Sequence, residues 1–126
     1  MDRVSKYWPE TLSVLRIVIG LLYLEHGSAK LFGFPQTPTG MPAMGTLLWA
    51  QGVIELAGGA LFALGLFTRP VAFILAGDMA FAYFMAHAPK AFFPILNGGD
   101  GAILYCFVFL LYFVAGPGRW AVTPEK

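Results

Sequence analysis

The sequence predicts an all-α fold, a four-helix transmembrane bundle with short loops and cytoplasmic termini, forming one integral membrane domain across residues 1–126. Three observations carry that prediction. Of the 126 residues 58% are hydrophobic and only 12% are charged, against about 25% charged in a soluble domain. Too little polar surface is left to cover a water-soluble globule. The apolar residues also fall in four runs, about 12–32, 45–67, 70–88 and 101–115, separated by stretches rich in proline and glycine. A run of ~20 residues rising ~1.5 Å each spans a ~30 Å hydrocarbon core, and only helices or closed barrels satisfy their backbone there. Third, Arg3, Lys6, Arg69, Arg119 and Lys126 fall on the side shared by the termini and the middle loop. Only Lys90, with Lys30 at a helix end, falls on the other. The positive-inside tendency then puts both termini in the cytoplasm.

The first run begins after Trp8-Pro9-Glu10, where a proline in the first helical turn and an acid beside it make a good start. Tyr7 and Trp8 suit the headgroup region. Residues 2–6 resemble a signal n-region, but the apolar run is too long and is interrupted by Arg16 and Glu25, so a retained spanning helix is expected. Residues 33–42 hold three prolines and two glycines and read as a loop capping the membrane surface. In the second run Gly52, Glu55 and Gly59 share one helical face, where small residues allow a second helix to approach closely. Thr68-Arg69-Pro70 reads as a tight turn with the third helix starting at Pro70, and Ala88-Pro89-Lys90 as its break. Residues 92–100 run from aromatic to turn-like at Asn97-Gly98-Gly99. The fourth run is short and stops at Gly116-Pro117-Gly118, with Arg119 and Trp120 at the interface.

Composition excludes several functions. A formal net charge of +1 with no basic stripe offers nothing for a nucleic-acid backbone to follow. The single cysteine, Cys106, rules out an internal disulfide, a dithiol redox pair or a zinc cluster. Two histidines on different helices, His26 and His87, are too few for a metal site on their own.

What remains are charges inside apolar helices, which hydrocarbon rejects by ~2.5–3.5 kcal/mol each on insertion scales. Arg16, Gly20, Tyr23, Gly27 and Lys30 step by four, three, four and three along one helical face. Glycines there would bring a second helix close and leave the two cations to find partners. Arg16 and Lys30 either bind a polar or anionic head group, such as a quinone carbonyl or a lipid phosphate, or pair with Glu55, Asp78 or Asp100. Lys30, near its helix end, could also snorkel to the interface. His26 is either a proton carrier or a hydrogen-bonded structural group. Met79, Phe81, Phe84, Met85, Phe107, Phe109 and Phe113 read as packing.

The order of these features resembles the DoxX family of small four-helix bacterial membrane proteins. The resemblance is carried by Arg16-x3-Gly20, His26-Gly27-x2-Lys30-Leu31-x-Gly33, Glu55-x2-Gly58-Gly59, Leu64-Gly65-Leu66-x-Thr68-Arg69, Asn97-Gly98-Gly99-Asp100 with Tyr105, and Gly116-Pro117-Gly118. Asp100 stands where the family usually has glutamate. The resemblance implies a multi-pass protein of the bacterial cytoplasmic (inner) membrane, serving as membrane subunit or partner of an oxidoreductase system. A quinone or similar amphipathic ligand would sit among Arg16, His26, Lys30, Glu55, Asn97, Asp100 and Tyr105, with quinone the cofactor to consider. The partners implied are the lipid bilayer, a redox protein and further copies of the chain, with no nucleic acid. Two other classes fit the residues as well: a small-solute or proton transporter using the same polar interior, and a non-catalytic scaffold that recruits an enzyme.

Overall fold

The computed structural model describes residues 2–123, and every regular element among them is helical. Lys126, one of the cations counted toward orientation, lies outside the described residues. A short helix α1 (Asp2–Ser5) precedes α2 (Trp8–Phe32), α3 (Leu47–Leu64) and α4 (Thr68–Ala82). After α4 come a π-helical turn over Tyr83–His87 and a 3-10 turn over Ala88–Lys90, then α5 (Pro94–Asn97) and α6 (Asp100–Ala115). Three helical runs, Trp8–Phe32, Leu47–Leu64 and Thr68–Lys90, are long and apolar enough to cross a membrane, and Asp100–Ala115 is a shorter apolar helix.

The turn between α3 and α4 lies earlier than the Thr68-Arg69-Pro70 expected from proline. Gly65 takes a left-handed φ of 72° and Phe67 one of 51°, so the chain reverses there and Thr68 already opens α4. Pro70 sits inside the first turn, where a missing N–H costs nothing. The other end of that run differs too. Helical geometry persists to Lys90, but after Ala82 it widens, with the Ala88 N–H donating to Tyr83 O five residues back. Pro89 cannot donate an amide to the carbonyl four residues before it, and one wide turn is a common accommodation.

The α2 and α3 helices lie antiparallel with their backbones almost touching. A Cβ on Gly20 would stand 2.7 Å from Ala63, and one on Gly27 only 2.3 Å from the Leu56 nitrogen. Gly59 answers from α3, facing the Leu24 nitrogen at 2.8 Å. The glycine face inferred from spacing is therefore the packing face, as close helix contact in lipid requires. The α4 helix pairs with α6, and α3 meets α4 along a much shorter seam. Phe62, Phe109, Tyr112 and Tyr23 fill the centre with edge-to-face contacts at ring distances of 5.0 Å, a favoured aromatic geometry. Met79 and Phe109 are buried, whereas Phe81, Phe84, Met85, Phe107 and Phe113 face outward.

After α6 the chain crosses back over the end of the molecule as a strap. The amides of Arg119 and Trp120 donate to Pro9 O at 3.1 Å and Ser13 Oγ at 2.9 Å. Those of Val122 and Thr123 donate to Leu64 O and Gly65 O, both at 3.1 Å. Glu10 and Arg119 form an ion pair of 2.6 Å across the same junction.

Candidate functional site

The charged residues of α2 separate to opposite ends of the molecule. Arg16 is fully buried beneath the C-terminal strap. Its guanidinium donates from Nη1 to Pro117 O and faces Ala63 O from Nη2 at 3.4 Å, while the buried Nε has no hydrogen-bond partner among the described residues. Of the two readings weighed for it, the pairing with Glu55, Asp78 or Asp100 is not made. Backbone carbonyls at the ends of α3 and α6 take that place, because the guanidinium fork supplies several fixed donors that carbonyls can accept. The charge is thus dispersed into peptide dipoles rather than neutralised by an acid.

Lys30 does meet an acid. Its Nζ lies 2.6 Å from Oε1 of Glu55, which is almost wholly buried, while the lysine side chain keeps 27% of its exposure. The close approach of α2 and α3 makes this contact. A Cβ on Gly52 would fall 2.9 Å from the Lys30 Cβ, so any larger residue there would push the lysine off its partner.

This ion pair forms part of the wall of a cavity of about 340 Å³. His26 and Tyr23 also face it from α2, Gln51 from α3, and Tyr105 from α6, while Met79, Ala82 and Ala102 supply apolar wall. Tyr105 stacks edge-on against Tyr23 at 5.5 Å and against His26 at 6.1 Å. Neither the Tyr105 hydroxyl nor the His26 ring makes a hydrogen bond to another described residue. Both are left to donate or accept toward the cavity.

Four of the seven residues singled out from sequence, His26, Lys30, Glu55 and Tyr105, line this cavity. Arg16 is far from it, since ten residues of helix separate it from His26, about 15 Å along the axis. Asn97 is buried beside the cavity and holds the α5 corner. Its side-chain amide donates to Tyr83 Oη at 3.1 Å and Ala91 O at 3.0 Å, and its Oδ1 accepts the Gly99 amide at 2.8 Å. Asp100 is exposed at the first position of α6, where an acid favours the helix N-terminus, and does not line the cavity.

A family model described as DoxX matches residues 11–88. The chain belongs to the DoxX family. The DoxX match takes in Arg16, Lys30, Glu55 and Asp78 and stops before α6, which brings Tyr105 to the cavity. Among relatives, an uncharacterised protein of Haemophilus influenzae is 45% identical, over 97% of this chain and 95% of its own. An uncharacterised membrane protein of Mycobacterium tuberculosis is 29% identical over 90% of this chain and 80% of its own. The inner membrane protein YqjF of Escherichia coli is 28% identical over 86% of each. No solved structure matches this DoxX chain. With its apolar helices and these relatives, the DoxX chain is a membrane protein, and its outward face is set for a lipid environment.

Sequence reasoning missed one residue of the DoxX site, Gln51, and the contacts that Asp78 makes. Gln51 stands one helical turn before Glu55, a spacing that puts both on one face, so its place could have been read from the sequence. Asp78, weighed from the sequence as a counter-ion, accepts hydrogen bonds from the Tyr23 hydroxyl and from Gln51 Nε2, the latter at 3.3 Å, and lies in hydrogen-bonding contact with the Glu55 carboxyl. Nothing in their spacing along three separate helices announced that meeting.

Proposed function

We propose that the chain is a single four-helix transmembrane domain of the bacterial inner membrane, with both termini cytoplasmic. In this reading it acts as the membrane subunit or partner of an oxidoreductase system and holds a quinone or similar amphipathic ligand in the cavity beside Lys30. The observation that carries the reading is the convergence of uncommitted donors on an apolar-walled space. Pockets for small amphipathic ligands pair apolar walls with a few placed polar groups. The Lys30 ammonium has three donors and gives one to Glu55, so a ligand carbonyl can take another. Tyr105 on α6 and His26, one turn before Lys30 on α2, have theirs unused. Glu55 then serves the ligand indirectly, by fixing the ammonium and balancing its charge. Arg16, Asn97 and Asp100 have no direct part in this version of the site.

Native mass spectrometry of the detergent-purified protein, incubated with short-chain ubiquinone and menaquinone analogues, tests it. Wild type is expected to retain one quinone per chain. The pair His26→Ala with Tyr105→Phe removes two hydrogen bonds of about 1 kcal/mol each, and affinity should fall by about tenfold or more. A folded wild type that retains no quinone, or a double variant that binds as well as wild type, would sink the proposal and leave a scaffold for a partner enzyme.

A further inference from the structure

Behind the Lys30 wall of the cavity, α2, α3 and α4 join their polar side chains into one hydrogen-bonded chain. Lys30 Nζ donates to Glu55 Oε1 at 2.6 Å. The Glu55 and Asp78 carboxyls lie in hydrogen-bonding contact with each other. Asp78 accepts from the Tyr23 hydroxyl at Oδ2 and from Gln51 Nε2 at Oδ1, the latter at 3.3 Å. Both acids are at least nine-tenths buried. Lys30, Glu55, Tyr23 and Gln51 line the cavity, and Asp78 closes the chain from behind.

The contact between the two acids has a requirement of its own. An ionised carboxyl only accepts hydrogen bonds, so two carboxyls bond to each other only through a proton that one of them holds. Charge leads to the same count. Two acids face one ammonium here, and no second lysine or arginine lines the cavity. One proton makes the cluster neutral, whereas two ionised carboxyls in contact, surrounded by apolar helices, repel each other strongly. The other titratable groups on the cavity are His26 on α2, His87 on the π-helical turn and Tyr105 on α6. Neither histidine pairs with either acid among the described residues, and His87 turns its Nδ1 to Asn97 O at 3.0 Å. Glu25 on α2 and Lys90 beyond the π-helical turn are exposed.

We propose that the Glu55 and Asp78 pair is a proton-binding site, holding one exchangeable proton that enters and leaves through the cavity. Glu55 is the member on the cavity wall, so it presents the proton to a ligand oxygen seated beside Lys30. In that exchange the O–H bond on the pair breaks and an O–H bond forms on the ligand oxygen. The pair keeps the bonding electrons, and nothing is oxidised or reduced in the step. The ligands served are those that change protonation in place, such as a molecule with an ionisable ring hydroxyl. Acids buried at membrane depth and linked in chains are the usual material of proton paths. The inference rests on the cavity and the spanning arrangement proposed above, and it stands whether or not the ligand is a quinone.

Infrared spectroscopy of the purified protein in detergent, with no ligand added, tests it. The readout is the C=O stretch of protonated carboxyls, which shifts when H2O is replaced by D2O. At pH 7 wild type is expected to show one such group per chain. Asp78→Asn leaves one acid to one ammonium and should show none. Lys30→Met leaves two acids without an ammonium and should show two. Ala86→Trp fills the cavity from an exposed position on its wall, and should keep the band while slowing its exchange into D2O several-fold. The proposal is overturned by a folded wild type with no protonated carboxyl, by a band that survives in Asp78→Asn, or by an unchanged count in Lys30→Met. It is equally overturned if the band of Ala86→Trp exchanges as fast as that of wild type. Should Asp78→Asn or Lys30→Met fail to fold, the wild-type band and its exchange in Ala86→Trp decide. A protein that retains no quinone yet passes these tests keeps the proton site and loses only the quinone reading.

Discussion

Removing Lys30 and removing Glu55 should have unequal consequences, although the two make one ion pair. At 2.6 Å the direct Coulomb attraction is about 6 kcal/mol at an effective dielectric near 20, most of which is offset by lost hydration. What differs is the partner left behind. Lys30→Met strands Glu55, whose side chain is only 2% exposed, and isolating a charge that deep costs about 3 kcal/mol or more. Glu55→Gln strands Lys30, which is 27% exposed and near its helix end. The ammonium can still donate to the new amide or turn outward to water, so the loss should be nearer 1 kcal/mol. Replacing both, Lys30→Met with Glu55→Leu, removes the need for pairing and should return stability to within about 1 kcal/mol of wild type. Reversible unfolding in mixed micelles, followed by circular dichroism, measures all four proteins. A Lys30→Met variant no less stable than Glu55→Gln would refute the assignment of Glu55 as the buried member. A double variant as unstable as Lys30→Met would show that the pair is needed for more than neutralisation.

Two further outcomes follow from other contacts. Gly27→Ala places a methyl 2.3 Å from the Leu56 nitrogen and 2.7 Å from Gly52 O, both backbone atoms that cannot swing aside. Stability should drop by about 2–3 kcal/mol, and a loss under about 0.5 kcal/mol would mean that α2 and α3 are not in this contact. Arg16→Met leaves Ala63 O without its guanidinium donor and Pro117 O with only the Ser13 hydroxyl at 3.3 Å, a loss of about 1–3 kcal/mol. Trypsin should then cut after Arg119 faster than in wild type, while quinone retention at the distant cavity stays unchanged. Equal cleavage rates would show that Arg16 does not hold the strap.

The helical runs and their glycine faces were legible because both depend on short-range periodicity. Gly20 and Gly27 lie seven residues apart, two turns of helix, and the close approach of α3 follows from that spacing alone. The pairing of Lys30 with Glu55 was one of several open matches, and charge type could not rank them. The partners of Arg16 were illegible for a different reason. They are carbonyl oxygens, present on every residue, so no side-chain identity at position 63 or 117 marks them as acceptors. Likewise the cavity draws on α2, α3, α4 and α6 at one end only. A sequence treats Arg16 and Lys30 as equals on one face, and only the helix length between them assigns one to each end. The widened turn after Ala82 shows a partial signal. Pro89 marked a break, but not that the break would be absorbed several residues earlier.

The strap also sets an order of events during synthesis. Arg16 on α2 leaves the ribosome well before α3, α4 and α6, yet the oxygen that receives its Nη1 comes from Pro117, about a hundred residues later. At ~5–20 residues per second that interval lasts several seconds. Throughout it a guanidinium committed to the bilayer must lean on water, a phosphate head group or the insertion machinery. Chains cut short just after α6 would keep every apolar helix and still be left with an orphaned charge. Quality control could recognise them by that charge, before any helix was missing.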